Sequence, residues 1–535
     1  MKKSTLIIVF AFALFSLNSC KKFLDTKPTD SLTPEEYYNT ESKITSALAG
    51  VYDMIGSEGL YGNNLWLEWN GCTDDGYYAR SAQTTGLMVN NFDYSNDRIA
   101  SFWANCYTGI ERANQLIANI NIPAMDAAKR DAILGEALFL RGYYYFLLVT
   151  RFGDIPLRLE PTTSPNNADI ARTPIADVYK QILKDMTDAE AKVNTSTAMG
   201  HASRVSKTVV QGILARVCLH MAGYPLNDAT KYAEALAWAN KVQTSGEHLL
   251  RTTFNAALTN SAYSQIFINH AQDIYDVKES MWEADFKGTR ADGYVETGRL
   301  GNTMGITMTS VNFQADTGYC YGFIKGTGRL FKLYGNADLR KAWSLTTYTY
   351  NNSTGARVNI SPTANTYGRD AAKWRRSYEL QRPKDKNHGP TNFPILRYAD
   401  VLLMLAEAEN QVNGPTAVAY NAINQVRRRG YGLPTGTPSV VADLTPGLSK
   451  NDFQLAIEDE RSRELCFEGL RREDLVRWGK LITVMHAVAA DQRTYGAGFA
   501  YGGLGGENIA DKHKLYPIPA AEITVNKLMT QNPGW

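Results

Sequence analysis

The sequence SKTVVQGILARVCLHMAGYPLNDATKYAEALAWANKV, residues 206–242, contains two helical patterns joined by a short turn. The first pattern places apolar side chains at helical spacing on one wide face: Val209, Val210, Ile213, Leu214, Val217, Cys218 and Met221. This spacing predicts a helix with a buried face, which Gly223 and Pro225 end. The second pattern, residues 228–242, puts apolar and small residues on one stripe, so we predict that the two helices pack as a hairpin.

Similar helix pairs recur along the chain, with long inserts between them. Small residues on facing stripes let paired helices approach closely, and the unit of about forty residues is similar to the ~34-residue tetratricopeptide hairpin. Further pairs are predicted at residues 398–412 with 416–429, at 131–152 with 174–193, and within 451–478. The pattern predicts a mainly α fold of tetratricopeptide-like hairpins, although helical spacing alone also fits another all-α bundle.

Long irregular stretches interrupt the helical pattern. Residues 59–96 are rich in Gly, Asn, Asp and aromatic residues, and residues 244–394 contain many Gly, Thr and Asn. Within the second stretch, residues 280–286 and 345–350 have the composition of short strands, and we place Trp282 of the first run in the core. Irregular stretches of this length in a compact domain are usually functional, so we expect them to carry a binding site.

The first twenty residues form a targeting segment. Two lysines precede the apolar residues 6–17, a run too short to span a bilayer and of the right length for a signal-peptide core. The run ends at Leu17-Asn-Ser-Cys20, which resembles a bacterial lipobox. We predict that residues 1–19 are removed and that Cys20 is acylated, which anchors the chain to a membrane through lipid. Ordinary secretory cleavage nearby, with Cys20 incidental, is the alternative.

The composition excludes several classes of protein. Hydrophobic residues make up 44% and charged residues 21% of the chain, a balance unlike that of disordered or polytopic membrane proteins. The whole chain has 56 Lys and Arg against 54 Asp and Glu. Removal of the targeting segment takes away Lys2 and Lys3, which leaves 54 of each and a formally neutral protein. We therefore expect no nucleic-acid partner, because nucleic-acid binding requires a basic surface.

Sequence motifs for metal, cofactor or nucleophilic chemistry are missing. The seven histidines include no HExxH motif, and neither a GxSxG elbow nor a P-loop occurs. The five cysteines after Cys20 have no CxxC spacing, although a Cys72–Cys106 disulfide remains open in an exported protein. We predict no catalytic residues, no metal site and no cofactor, and therefore that the protein is not an enzyme.

The segment ERSRELCFEGLRRED, which begins at Glu460, concentrates acidic and basic side chains. Glu460 and Glu464, and likewise Glu464 and Glu468, are four residues apart and share a helix face. Such carboxylates could form a glycosidase pair, but their spacing on one helix cannot show that they straddle a sugar. We favour a network of Glu–Arg ion pairs that ties helices together.

Aromatic residues in the irregular stretches are the best candidates for a binding site. A sugar ring has an apolar C–H face and a rim of hydroxyls, which suit an aromatic platform beside Asn, Asp and Arg. The candidate residues are Trp69, Asp74, Tyr77, Tyr78, Arg80 and Tyr94 in the first stretch, and Tyr294, Tyr319 and Tyr321 in the second. We predict that the two stretches converge into one shallow platform for a neutral ligand; packing of each aromatic under its own loop is the alternative.

A series of motifs carries a family resemblance over nearly the whole chain. In chain order the motifs are CKKFLDTKP from Cys20, RGYYYF from Arg141, RFGDIPL from Arg151, LRYADVLLMLAEA from Leu396, NQVRRR from Asn424, ERSRELCFEGLRREDLVRW from Glu460, LYPIP from Leu515 and QNPGW from Gln531. Together they resemble the SusD/RagB family of nutrient-binding outer-membrane lipoproteins of Bacteroidetes. The resemblance is weakest over residues 246–390.

The resemblance implies a SusD-like fold and a role in nutrient uptake. Residues 20–535 would form one domain, with a helical frame at about 34–245 and 396–480 and ligand-side inserts at about 59–96 and 246–395. The protein would be surface-exposed and lipid-anchored on the outer membrane. It would capture an oligosaccharide, or less often a peptide, for a SusC-like TonB-dependent barrel transporter. Two other functions remain open: an exported all-helical glycoside hydrolase, and a lipid-anchored helical-repeat scaffold for protein interactions.

Overall fold

The computed structural model describes residues 33–164, 169–287, 298–364, 366–495 and 498–535. The targeting segment with Cys20, and Tyr294 of the second candidate group, lie outside these residues. Acylation of Cys20 and the division of the chain into a signal peptide and one domain therefore stay predictions.

Helices make up most of the regular structure, which confirms the mainly α prediction. The described residues contain eleven helices of ten residues or more: α1 (Glu41–Asp53), α2 (Asp97–Asn119), α3 (Ala127–Phe152), α4 (Ile175–Glu190), α5 (Lys207–Ala222), α6 (Lys231–Thr244), α7 (Ala262–Ala271), α8 (Tyr398–Asn413), α9 (Ala417–Gly430), α10 (Lys450–Leu465) and α11 (Leu481–Thr494). Shorter helices span Pro34–Tyr37, Asn64–Leu67, Ser196–Met199, Gln314–Thr317, Gly328–Leu333, Arg340–Ser344, Arg471–Arg477, Leu504–Glu507 and Ala520–Val525.

The predicted hairpins are present, with ends that differ from the predictions by a few residues. Helix α3 packs against α4, α5 against α6, and α8 against α9. The helices also pack in chain order: each of α1 to α5 contacts the next helix, and α6 contacts α8. The fourth pair is broken after α10, where Phe467 and Gly469 adopt positive φ angles of 66° and 70° and turn the chain into the short helix Arg471–Arg477.

Local sequence signals explain where several helices begin and end. Thr416 caps α9 by accepting a hydrogen bond from the Ala419 backbone, and Ser449 caps α10 in the same way through Asp452. Gly414, with φ of 84°, ends α8 in a conformation that disfavours side chains. Helix α3 is the one described helix long and apolar enough to cross a membrane, but 94% of its most apolar window is buried inside the protein.

Strands are few and short. They are β1 (Gly76–Tyr78), β2 (Ser280–Ala284), β3 (Ile324–Gly326), β4 (Tyr348–Tyr350), β5 (Arg357–Asn359) and β6 (Phe393–Arg397). They form three antiparallel pairs, β1 with β3, β2 with β6 and β4 with β5. Both strand-like runs in the second irregular stretch contain a strand, and Trp282 on β2 is fully buried, as predicted.

Helix α7 lies within the second irregular stretch, where the sequence analysis identified few helix signals. All ten of its residues are buried. The helix has only ten residues, fewer than the about 11–18 over which helical periodicity is read, so its apolar pattern does not stand out from the irregular sequence around it. Ser261 caps the helix through the Ser264 backbone, and this is the local signal that could have located it.

Candidate functional site

An open cleft of about 980 Å³ lies where the two irregular stretches meet. Its aromatic wall contains Tyr78 and Phe92 from the first stretch and Tyr321 and Phe323 from the second. All four side chains are half-buried, so each keeps part of its surface open to solvent. The two stretches therefore converge, as the sequence analysis expected, although with a partly different set of residues.

Backbone pairing holds the two stretches together at the cleft. Strand β1 pairs with β3 so that Tyr78 lies opposite Ile324, and the Ala79 amide donates to the Phe323 carbonyl at 2.7 Å. The Tyr321 amide in turn donates to the Asn302 carbonyl at 2.7 Å. Because these contacts are between backbone groups, the positions of the aromatic side chains are fixed by the fold rather than by their own packing alone.

The rings of the cleft wall form a continuous row. Tyr78 and Phe323 have ring centroids 5.5 Å apart, and Phe323 stacks on Tyr321 at 5.1 Å with an interplanar angle of 9°. Tyr319 meets Tyr321 edge-on at 5.0 Å. The Arg80 guanidinium lies 4.6 Å from the Phe323 centroid and donates to the Tyr321 carbonyl at 2.7 Å. Ring contacts and a cation–π contact thus stiffen the wall.

Charged side chains line the cleft beside the aromatic row. Arg98 lies 3.9 Å from both Glu58 and Glu68, and Arg299 lies 3.8 Å from Glu58. These N···O distances are longer than those of charge-assisted hydrogen bonds. The guanidinium groups of Arg98 and Arg299 can therefore still donate hydrogen bonds to a ligand. Burial raises the pKa of Glu68 above its usual range, against the opposing effect of Arg98. The cleft therefore offers stacking surfaces together with hydrogen-bond donors and acceptors.

Trp69 does not lie at the cleft. Its side chain is 2% exposed, and its ring packs against Phe102 and Tyr516 at centroid distances of 4.5 and 4.3 Å. The Phe152 ring packs edge-on against a third side of the Trp69 ring, with the two ring centroids 6.2 Å apart. The predicted place of Trp69 on an exposed platform is wrong, because aromatic side chains from α2, α3 and the C-terminal segment enclose it.

Asp74 and Tyr77 are also buried, which corrects their predicted exposure. Both oxygens of Asp74 accept from Arg471, at 2.8 and 2.7 Å, and Arg329 lies 3.2 Å away. Burial opposes ionisation of Asp74, but the two arginines hold its pKa well below the usual range. Tyr77 is 1% exposed and donates its hydroxyl to the Tyr367 carbonyl. Both residues therefore support the frame beneath the cleft.

The remaining candidate residues take three different positions. Arg80 and Tyr319 lie outside the cleft lining and support its wall through Phe323 and Tyr321. Tyr94 is 48% exposed but does not line the cleft, and its carbonyl accepts from the Ala520 amide at 2.9 Å. Tyr294 lies outside the described residues. The candidate residues that line the cleft are therefore Tyr78 and Tyr321.

Most of the cleft lining was not predicted from the sequence, including the aromatic residues Phe92 and Phe323 and the arginines Arg98 and Arg299. Phe323 could have been found, because Tyr319, Tyr321 and Phe323 alternate along an extended segment and alternate residues share one face. Nothing in the sequence next to Arg98 or Arg299 indicates that either arginine lines a cleft. Their place beside Glu58 depends on contacts between segments far apart in the chain.

The Glu460 segment forms a buried network of ion pairs, as predicted. Glu464 is fully buried and accepts from Arg340 and Arg397 at 3.0 Å each, and from Arg429. Glu468 binds Arg397 and Lys373 at 2.8 and 2.6 Å. Because these carboxylates are enclosed and already paired with cations, they cannot flank a sugar in this structure. The network ties α10 and the residues just after it to four other segments of the chain.

Two further features concern metal and thiol chemistry. Over the described ranges, which leave out residues 1–32 and four internal gaps, no group of three His, Cys, Asp or Glu side chains could hold a metal ion. Cys72 and Cys106 are buried free thiols, as are Cys218, Cys320 and Cys466. Burial raises the pKa of Cys72 to about 12, so its thiol stays protonated at neutral pH.

Comparisons with known proteins agree with these features. A family model described as the SusD family matches residues 278–535, and a second, described as starch-binding and associating with the outer membrane, matches residues 22–219. SusD-like protein P25 from Formosa agariphila is 27% identical over 98% of both chains. A crystal structure of a SusD homologue from Bacteroides thetaiotaomicron is 29% identical, with a TM-score of 0.86 over 94% of this chain and 98% of that one.

A laminarin-binding SusD-like protein shares the fold, with a TM-score of 0.69 and 22% identity over 93% of this chain and 100% of that one. The two family models together match most of the chain, on both sides of residues 220–277. The hairpin frame, the ion-paired segment after Glu460 and these matches lead to one conclusion: the chain belongs to the SusD/RagB family.

Proposed function

We propose that this protein is a surface-exposed, lipid-anchored protein of the outer membrane that captures an oligosaccharide in the aromatic cleft. The observation that carries the proposal is the row of rings from Tyr78 through Phe323 to Tyr321, which faces solvent beside loosely paired arginines. Sugar rings stack their C–H faces on aromatic rings, and their hydroxyls hydrogen-bond to charged groups. The cleft supplies both kinds of partner.

The ligand is expected to be a neutral glycan rather than a strongly charged one. The chain without its first nineteen residues is formally neutral, and the arginines of the cleft lie beside Glu58 and Glu68. The names of related proteins support a glycan, since one solved relative is described as laminarin-binding and one family model as starch-binding. A peptide ligand is the alternative, and the binding experiment below compares peptides with glycans to distinguish the two.

Delivery of the ligand requires a partner in the membrane. Membership of the SusD/RagB family supports a SusC-like TonB-dependent barrel transporter, with this protein bound above it. Purification of the tagged protein from outer membranes under mild detergent conditions tests this step. We expect a TonB-dependent transporter to co-purify in a fixed ratio; a tagged protein recovered alone would count against the partnership.

Titration calorimetry of the purified protein against laminari-oligosaccharides, malto-oligosaccharides and a peptide panel tests capture. We expect one glycan class to bind and Tyr321→Ala or Tyr78→Ala to weaken that binding by roughly 1–3 kcal/mol, by analogy with aromatic side chains that stack bases. Tyr94→Ala is the matched control, because Tyr94 is an exposed tyrosine outside the cleft lining.

Two results would contradict the proposal. Unchanged affinity in both cleft variants would show that the glycan binds elsewhere, and glycan hydrolysis during the titration would favour an enzyme. Binding should also be nearly the same at low and high salt, because stacking and hydroxyl hydrogen bonds are weakly screened. A collapse of binding at high salt would mean that the ligand is charged.

A further inference from the structure

A second cavity, of about 630 Å³, lies between the end of α1 and the end of β2. Its wall is largely apolar, with Leu48 and Ile55 on one side and Phe286 on the other. Glu58 lines both this cavity and the aromatic cleft, so the two lie next to each other. Among the described residues, neither the aromatic row nor a sequence-predicted ligand residue lines the second cavity.

The charged groups that line this cavity are mostly acidic. Asp53 is paired with Arg112 at 2.9 Å, and Arg204, the one described Lys or Arg in the lining, is bound by both oxygens of Glu136. Two further lining carboxyl groups, Glu283 and Asp285, lack such a partner. Within the described part of the chain, no Lys or Arg lies within ion-pair distance of either group.

Glu283 is unusual among the buried carboxyl groups of this protein. It is 2% exposed, and one oxygen accepts from Asn392 at 3.1 Å. Ser280 lies beside the carboxyl group, but among the described residues the second oxygen has no partner at good hydrogen-bond geometry. Its nearest basic group, His270, lies 3.5 Å away, but burial and the nearby Arg397 lower the His270 pKa to about 3, so the imidazole is neutral. By contrast, the buried Glu464 is bound by three arginines.

Asp285 extends the acidic character to the cavity mouth. It is exposed and accepts a hydrogen bond of 2.7 Å from the Tyr275 hydroxyl, with Ser203 also beside it, and no Lys or Arg of the described residues pairs with it. An apolar wall with a buried, partly unsatisfied carboxyl group and an unpaired carboxylate at its mouth is complementary to a hydrocarbon that carries a positive charge. A neutral or anionic ligand would leave the Asp285 carboxylate without a counter-charge.

We propose that this second cavity binds a small organic amine, with its ammonium group beside Asp285 and Glu283 and its hydrocarbon part against the apolar wall. The site is independent of glycan capture in the aromatic cleft. The amine can be a free molecule or an amino group on a larger ligand, because the cavity is open and its chemistry recognises the ammonium group itself.

Titration of the purified protein with 2-phenylethylamine and with 2-phenylethanol tests the proposal, because the two probes differ in the charged group alone. We expect the amine to bind roughly tenfold more tightly than the alcohol, and Asp285→Asn to remove most of that difference. Equal affinity of the two probes, or no measurable binding of the amine, would overturn the proposal.

A filling variant locates the binding. Ala49 lies on the exposed side of α1 and lines the cavity, whereas the neighbouring Ser46 is exposed and does not line it. We expect Ala49→Trp to abolish amine binding and Ser46→Trp to leave it unchanged. Amine binding that survives Ala49→Trp would place the probe elsewhere and overturn the proposal. Glycan binding should be unchanged in both variants, which separates this site from the aromatic cleft.

The pH dependence gives a further test. Burial raises the pKa of Glu283 to about 8, so the Glu283 carboxyl group becomes charged as the pH rises towards that value. An ammonium ion binds the charged carboxylate more tightly than the neutral acid. The charged and titratable groups around it are Asp53, Glu58, Arg204, His270, Asp273, Tyr275 and Asp285. We expect amine affinity to increase from pH 6.5 to 8.5 and Glu283→Gln to flatten this increase; an equal increase in that variant would overturn the role of Glu283.

Discussion

Glu464 shows how single residues stabilise this fold. Its carboxylate is fully buried and accepts hydrogen bonds from three guanidinium groups on separate segments, those of Arg340, Arg397 and Arg429. Each ion has lost its hydration, and the loss is offset only while every partner is present. The carboxylate therefore matters to stability through the cations that it neutralises as well as through its own hydrogen bonds.

We expect Glu464→Gln to destabilise the protein by about 3–5 kcal/mol, because the change leaves buried arginines without their counter-charge. Denaturant unfolding of wild type and variant measures the loss. Asp459→Asn is the control on the same helix, since Asp459 is 40% exposed and its pair with Arg329 is worth about 0–1 kcal/mol. Similar losses in the two variants would show that Glu464 has no special role.

The candidate aromatics show where sequence reasoning at the residue scale stops. The composition of residues 59–96 indicated aromatic residues beside polar ones, and Tyr78 does line the cleft. The same composition could not show that Trp69 turns inward, because its neighbours Phe102, Phe152 and Tyr516 come from three distant segments. Which ring faces solvent is decided by tertiary packing, which the local sequence does not contain.

At the scale of elements, periodicity predicted the long hairpin helices and missed the short helix α7. The hairpin partners α5 and α6 were located because their apolar spacing is regular over several turns. Helix α7, with the sequence AYSQIFINHA, has only ten residues, so its apolar pattern is too short to stand out from the irregular sequence around it. The pairing of β1 with β3 was likewise invisible, since it joins segments about 250 residues apart.

Substitution by alanine should change the free energy of unfolding in opposite directions at two glycines on the neighbouring helices α1 and α2. A Cβ atom added at Gly109 on α2 would lie 2.4 Å from the buried Tyr144 ring of α3, so Gly109→Ala should destabilise by about 1–3 kcal/mol. Gly50 on α1 has no atom within 4 Å of such a Cβ, so Gly50→Ala should stabilise by about 0.5–1 kcal/mol.

Thermal or denaturant unfolding of the two alanine variants beside wild type measures both effects. A shift of the same sign in both variants would mean that helix propensity outweighs the close contact between α2 and α3. Opposite shifts would confirm that the small residue at Gly109 sets the distance between these helices.

At the scale of the whole molecule, the buried ion pairs make stability dependent on pH. Burial opposes ionisation of Asp400 and Glu460, yet their arginine partners lower the pKa of each to about 2, from ordinary values of 3.8 and 4.5. A carboxyl group whose pKa is lower in the folded state stabilises the fold above its unfolded pKa. That stabilisation is lost as the pH falls through the folded pKa.

We therefore expect the free energy of unfolding to fall steeply between about pH 4.5 and pH 2. Urea unfolding at a series of pH values measures the curve. Glu283→Gln is a useful control, because the pKa of Glu283 is raised to about 8 and its effect on stability lies between pH 4.5 and 8. The Glu283→Gln variant should lose stability below about pH 4.5 as the wild type does. A wild-type protein that is equally stable at pH 2 and pH 5 would show that the buried ion pairs do not control acid stability.

We predict that a single residue, Cys20, attaches the whole molecule to a membrane. Leu17-Asn-Ser-Cys20 ends the apolar signal core, so we expect Cys20→Ala to prevent acylation and to release the protein from the membrane fraction. Each buried CH₂ group of an acyl chain contributes about 0.8 kcal/mol, and the variant loses all of them. Metabolic labelling with a tagged fatty acid, followed by fractionation, gives the result. Cys72→Ala, which removes a buried thiol, should keep both label and membrane association, and undiminished label on Cys20→Ala would refute the lipobox.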